Sequence, residues 1–304
     1  MLSQGAATAI LYSESADIFL DTIDTYGSGL RSLYLALRHA ELPIDIVIEE
    51  DLKPSGGGGL LQHYSALYLT QPHLTTSGGA AVASWVSGGG KVFATASAGL
   101  LNESNQTNLP MVSLLGIEQS GVYTSSAATE LMGGVSNASV FYIKQDLKHV
   151  EELDQVILTT VTNDPLASNL TVKGAKSIFK IIGDDKTGLE ILGRFASDGS
   201  VASFKRSIGS RGGAAYYMAF LPGLSYYEPA IPVRPVDRSS VDSGFNHFIP
   251  TEMDTRAREL IAIPLRGVRC CAVARLPSTG GCTPRTPPSC FCLLLASSLF
   301  LYSL

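Results

Sequence analysis

Short apolar runs alternate with amphipathic stretches through the first part of the chain. AATAILY (residues 6–12) reads as a strand, ended by Ser13-Glu14-Ser15 and followed by a loop. Leu30, Leu33, Tyr34 and Leu37 recur at i, i+3, i+4 and i+7, the apolar face of a helix over residues 29–39. Ile44-Asp45-Ile46-Val47-Ile48 is a second strand, ending in Glu49-Glu50-Asp51, and a short helix is expected at residues 60–63 after the glycine run 56–59. A third strand spans residues 66–70, and a helix over residues 77–86 carries Ala81, Val82 and Trp85 on one side. Gly88–Gly90 stops it, and Val92-Phe93-Ala94-Thr95 is strand four.

Strands and helices alternating at this spacing predict βαβ units and a parallel sheet. Right-handed crossovers then put helices on both faces, and a ligand crevice belongs at the carboxyl ends of the strands. Glu14, Glu49–Asp51, Gln71, His73, Ser97 and Glu103 fall on that rim.

The texture changes after about residue 117, where strands are expected at 140–143, 156–161, 175–182 and 190–195. Asp198-Gly199 marks a hairpin turn between 192–196 and 201–207. AAYYMAFL (214–221) reads as a buried strand returning to the parallel sheet. The proline- and tyrosine-rich run from Pro222 to Arg238 is not expected to form regular helix, and a closing helix follows at 254–263. The organisation expected is a βαβ half over 1–116, a β-rich insertion and returning strand of the same domain over 117–223, and a loop with closing helix over 224–265. An aberrant or disordered tail fills 266–304.

Composition sharpens this picture. With 304 residues, 45% hydrophobic and 16% charged, the chain has the makings of a substantial core. The net charge of −5 conceals an asymmetry: residues 266–304 hold four arginines and no other charge, so the body carries a net −9. An acidic body without a basic stripe argues against a nucleic-acid partner. All five cysteines (Cys270, Cys271, Cys282, Cys290, Cys292) lie in the tail at spacings unlike a zinc site.

The last 14 residues are mostly apolar, fewer than the about 20 that a membrane-spanning helix needs, so no membrane partner is expected. Arg, Cys, Pro and Ser replace the earlier pattern so abruptly that a frame-shifted or unspliced end is the expected reading. No secretory signal stands at the N-terminus, which reads as cytoplasmic. Sequons at Asn102, Asn105, Asn137 and Asn169 fit an extracellular protein with an incomplete N-terminus, or chance in Ser/Thr-rich loops.

ILYSES, GLRSLYLALRHAELPIDIVIEEDL and YSALYLTQPHLTTSGGAAVASWVSGGGKVFATASAG together resemble the trimerisation domain of bacterial-type β-galactosidases, a member of the class I glutamine-amidotransferase-like fold. The resemblance covers residues 6–115 well and 190–223 more weakly, and does not extend to 224–264. It implies an α/β, flavodoxin-like parallel sheet flanked by helices. Its motifs are fold patterns rather than catalytic signatures. An active amidotransferase places a cysteine at the strand-four corner, with a histidine oriented by a glutamate. Here the corner carries Ser97, and the late His-x-Glu is missing, since His247 is followed by Phe248 and Ile249.

Candidate chemistry is correspondingly sparse. Thr95-Ala96-Ser97-Ala98-Gly99 has the outline of a nucleophile elbow, with His73 or His247 as base and Glu252 or Asp237 to orient it. The competing reading is a small residue in a tight turn, which Thr95 in place of the first glycine favours. Glu14, Glu49 and Glu103 offer carboxylates for acid–base or ligand contacts, or are solvated rim residues. Tyr226, Arg234 and Asp237, in the proline-rich run, suit a sugar platform or partner surface, or a covering strap with Arg234 and Asp237 paired. The glycine run lacks a P-loop Lys-[ST], and neither cofactor nor metal is indicated.

The function expected is a non-catalytic module for oligomerisation or interaction, associated with carbohydrate-active proteins. Its partners would be further copies, as a trimer, or a glycosidase catalytic domain. The alternatives are a serine-type hydrolase or degenerate glutamine amidotransferase acting at Ser97, and a sugar or small-ligand binding domain.

Overall fold

The computed structural model describes residues 8–19, 25–52, 59–124, 152–159, 169–182, 188–226 and 253–265. The strand expected at 140–143 and the tail from 266 lie outside them.

Strand β1 (Thr8–Tyr12) leads into helix α1 (Glu14–Phe19), then α2 (Thr25–His39) and β2 (Ile44–Ile48). A 3-10 turn (Glu49–Leu52) and another (Leu60–His63) precede β3 (Ala66–Leu69), α3 (Thr76–Ser87) and β4 (Lys91–Ala94). Next come α4 (Leu109–Leu115), β5 (Ile117–Thr124), β6 (Glu152–Leu158), β7 (Asn169–Lys173) and β8 (Ala175–Ile181). The hairpin β9 (Leu189–Phe195) and β10 (Val201–Ile208) leads to β11 (Gly213–Met218), α5 (Pro222–Tyr226) and α6 (Thr255–Ile261).

Nine of these strands form one sheet in the order β2-β1-β3-β4-β11-β10-β9-β6-β7, and β5 pairs with β8 alone. The first five are parallel to one another; the rest continue as antiparallel pairs. The parallel half has the doubly wound order of flavodoxin-like folds, in which the crossovers reverse direction between β1 and β3. The fold is therefore α/β, a flavodoxin-like sheet with a β-rich extension, and AAYYMAFL does return to the parallel sheet beside β4.

Burial explains why these segments adopt these states. Leu67, Val92, Phe93, Tyr217 and Phe204 are wholly enclosed in the central strands, whose near-continuous apolar runs suit a sheet covered on both faces. Helices α2, α5 and α6 pack together, and α3 and α4 form a second group. On α2 the buried stripe is Leu33, Ala36 and Leu37, while Tyr34, expected on that face, is partly exposed. Thr75 caps α3 by accepting from the Gly78 amide at 3.1 Å. Tyr68 on β3 donates to the Ile261 carbonyl at 2.8 Å, which pins α6 against the sheet.

Three local expectations need correction. The polar stretch after β1 forms helix α1 rather than a loop, because Ser13 Oγ accepts from the Ala16 amide at 3.1 Å and caps it. Pro222 begins helix α5 rather than preventing it, since the first helical position needs no amide donor. The strand expected at 156–161 starts earlier, at Glu152, where β6 pairs with β7.

Candidate functional site

Two positions on the rim formed by the carboxyl ends of the parallel strands are candidates for a site. The first is the point between β1 and β3 where the crossovers reverse, the usual ligand position in such sheets. Here the chain fills it with its own carboxylate. Glu49, just past β2 and only 4% exposed, accepts from the Ser15 amide at 3.0 Å, from Ser15 Oγ at 3.1 Å and from Ser13 Oγ at 3.1 Å. It also accepts from the amide of Thr75. Ser13 is locked further, its amide donating to Gln71 Oε1 at 2.7 Å and its hydroxyl contacting the His73 carbonyl at 2.7 Å.

Burial opposes ionisation of Glu49, but the hydrogen bonds from Ser15 and Thr75 outweigh it and hold the carboxyl below its ordinary range. Glu49 thus takes up the amide and hydroxyl donors that converge at this position. The expectation of a solvated rim carboxylate fails at this position, because two chain segments, residues 13–15 and Thr75, converge on the side chain.

The second position lies beside the corner after β4. Ser97 has a φ of +64°, the left-handed region that a nucleophile elbow also visits. Its side chain is 3% exposed, and its Oγ has no hydrogen-bond partner among the described residues.

The amides around this corner are all engaged. Thr95 donates to the Leu69 carbonyl, Ala96 to Phe220, Ala98 to Thr95 at 2.9 Å, Gly99 to Gln71 and Leu100 to Ser97. The Ser97 amide donates to Tyr217 Oη at 3.3 Å, and that phenol donates to Ser177 Oγ at 3.0 Å. Burial pushes the Tyr217 phenol up to about 12, so it is no base at neutral pH.

His73, 4% exposed, approaches the same position from the end of β3. Its Nε2 meets Asn105 Oδ1 at 2.9 Å and its ring stacks on Phe19, with centroids 4.5 Å apart. Its Nδ1 has no partner among the described residues. Ser97 and His73 both line a cleft of about 730 Å³ walled by Leu100, Leu101, Val112 and Val122.

The remaining candidates are scattered. Glu14 is exposed on α1. Glu103 is also exposed and accepts from the Thr76 amide at 2.7 Å, a helix-end contact. Tyr226, expected on a binding loop, is fully buried, its hydroxyl 2.7 Å from both His39 Nδ1 and Met253 Sδ. Helix α5 carries it inward against α2 and α6. Arg234, Asp237, His247 and Glu252 lie outside the described residues. Among the described residues no group of three or more His, Cys, Asp or Glu could hold a metal ion, and no helix is long and apolar enough to cross a membrane.

Sequence reasoning placed Gln71 on the rim but missed the roles of Ser13, Ser15 and Tyr217. The two serines flanking Glu14 were the available signal, because hydroxyls at a strand-to-helix junction are typical caps. The Tyr217 contact had none, since it joins residues 120 apart.

No family model matches the chain, and no curated protein does. Among solved structures it is similar to Gan42B, a GH42 β-galactosidase from G. stearothermophilus, at 14% identity and a TM-score of 0.53, covering 88% of this chain and 30% of that one. A catalytic mutant of the same enzyme gives a TM-score of 0.54 over the same shares. A β-galactosidase from Bacillus circulans sp. alkalophilus matches at 15% identity and a TM-score of 0.49, over 72% of this chain and 29% of that one. The chain thus spans about a third of the length of these enzymes, and at this identity the likeness is one of fold.

Proposed function

We propose that the chain is a non-catalytic amidotransferase-like module that assembles with further copies of itself or with a β-galactosidase-like catalytic domain. The observation that carries the non-catalytic reading is the engagement of the corner amides. In the nucleophile elbow, the amide following the nucleophile holds the developing oxyanion. Here that amide is Ala98's, and it is already bonded within the turn to the Thr95 carbonyl at 2.9 Å. The amides of Ser97 and Gly99 are bonded as well. A nucleophile at Ser97 would generate negative charge with none of the described corner amides free to receive it.

Two features support assembly. The likeness to about 30% of a β-galactosidase chain fits a module within a larger enzyme. Strand β2, at one end of the nine-stranded sheet, also presents Ile46 at 65% exposure between the half-buried Ile44 and Ile48. An apolar row on an edge strand suits burial against another copy.

Light scattering on the full chain, with labelling by a serine-directed fluorophosphonate, tests both parts. An oligomer that Ile46→Asp dissociates, with Ser97 unlabelled, is the expected result. A monomer at micromolar concentration removes self-assembly, and labelling abolished by Ser97→Gly removes the non-catalytic reading.

A further inference from the structure

The amides at the corner are all used, yet two side-chain atoms beside them are not. Ser97 Oγ and His73 Nδ1 are each more than nine-tenths buried and lack a partner among the described residues. A buried polar atom left unpaired is destabilising, so two such atoms on residues that line one cleft call for an explanation. The cleft, at about 730 Å³, falls within the size range of small-molecule sites.

The chemistry of the two atoms narrows what fits. Asn105 Oδ1 can only accept, so His73 Nε2 donates to it at 2.9 Å, the tautomer in which Nδ1 is an acceptor. Ser97 Oγ can donate and accept. Each matches a ligand hydroxyl, one donating to His73 Nδ1 and one accepting from, or donating to, Ser97 Oγ. An anion would meet no Lys or Arg among the described lining residues, and Glu118 stands at the cleft to repel it. The other walls, Leu100, Leu101, Val112 and the ring of Tyr26, suit the C–H face of the same ligand.

We infer that the cleft between the β4 corner and strand β5 binds a neutral pyranose sugar, held by Ser97 Oγ and His73 Nδ1. A pyranose presents a hydroxyl edge and an apolar C–H face, and the cleft offers a surface for each. This binding role goes beyond assembly and does not depend on it. No bond is made or broken, in keeping with the engagement of the described amides at the corner.

Thermal unfolding of the full chain with D-glucose or D-galactose at millimolar concentrations tests the site, because a ligand that binds only the folded state raises Tm. 1-Hexanol and sulfate serve as the contrasting arms. A saturable rise with a pyranose and none with sulfate is expected. Ser97→Gly, which keeps the positive φ accessible, weakens apparent affinity about tenfold through the lost hydrogen bond. Val122→Phe fills the cleft from the β5 side, leaves Ser97 and His73 in place, and abolishes the response. The inference is overturned if no pyranose gives a saturable rise, or if sulfate does so equally. A response to 1-hexanol alone, or an affinity unchanged by both variants, overturns it as well.

Discussion

The amide of Ser97 donates to the phenolic oxygen of Tyr217 across 3.3 Å, tying the corner after β4 to the neighbouring strand β11. Because the Tyr217 hydroxyl donates its hydrogen bond to Ser177 Oγ at 3.0 Å, the phenol serves the corner only as an acceptor. Tyr217→Phe removes that acceptor and leaves the Ser97 amide and the Ser177 hydroxyl buried without it. The expected loss is about 1–3 kcal/mol of stability, read from the urea midpoint. Fluorophosphonate labelling of Ser97 should stay absent in this variant, since the Ala98 amide remains bonded to Thr95.

Ser97 itself has a φ of +64° and a buried hydroxyl without a partner. A non-glycine residue in the left-handed region costs about 1–2 kcal/mol, and an unpaired buried hydroxyl adds to that. Glycine relieves both, at the expense of greater freedom in the unfolded chain. Ser97→Gly should therefore raise stability by about 1 kcal/mol, measured as a higher Tm. A loss instead would mean that the hydroxyl has a partner within the folded protein.

The parallel half of the sheet was legible because its signals are local. The strands at residues 44–48, 66–70 and 92–95 are apolar runs bounded by polar or glycine stops, and the hairpin at Asp198-Gly199 has its own turn chemistry, with Asp198 Oδ1 accepting from the Ser200 amide at 2.9 Å. The candidate site was legible only in outline. That Ser97 sits at a corner follows from the end of β4, but that its amide is taken depends on Tyr217, far away in sequence. The same holds for Glu49. Its run of acidic neighbours reads as a solvated rim, and only the folded chain brings Ser13, Ser15 and Thr75 around it. Tyr226 failed for the converse reason: a proline-rich surrounding suggested a surface loop, while its ring packs between α2 and α6.

The glycine at the start of β11 marks a close approach that no other residue allows. A Cβ on Gly213 would lie 1.9 Å from the backbone carbonyl oxygen of Val86, at the end of α3. A backbone atom cannot swing aside as a side chain can, so either α3 or β11 must shift. Gly213→Ala is expected to cost more than the about 1–3 kcal/mol typical of an overpacked core, and to lower the yield of folded protein. Gly199→Ala is the matched control, because its Cβ meets nothing within 4 Å; only the strain of its φ of +69° should register there. Equal effects at the two positions, measured by thermal unfolding, would refute the close approach of α3 to β11.

Acid stability follows from the sign of the shift at Glu49. Its carboxyl titrates below the ordinary value of 4.5 in the folded protein, since the bonds from Ser15 and Thr75 outweigh the burial that opposes its charge. A lowered folded pKa means the unfolded chain binds the proton more readily. The contribution of Glu49 is thus fully present above the ordinary carboxylate range and is lost as pH falls through the depressed value. Glu49→Gln keeps the shape but replaces a charged acceptor with a neutral amide, whose NH2 group would face the donating amides of Ser15 or Thr75. The variant should lose about 1–3 kcal/mol at neutral pH. Its deficit should shrink on acidification, as the wild-type carboxyl is neutralised too. Urea melts at neutral pH and at pH values below the ordinary carboxylate range measure this directly. A deficit that stays constant across that interval would show that the packing of Glu49, rather than its charge, stabilises the position between β1 and β3.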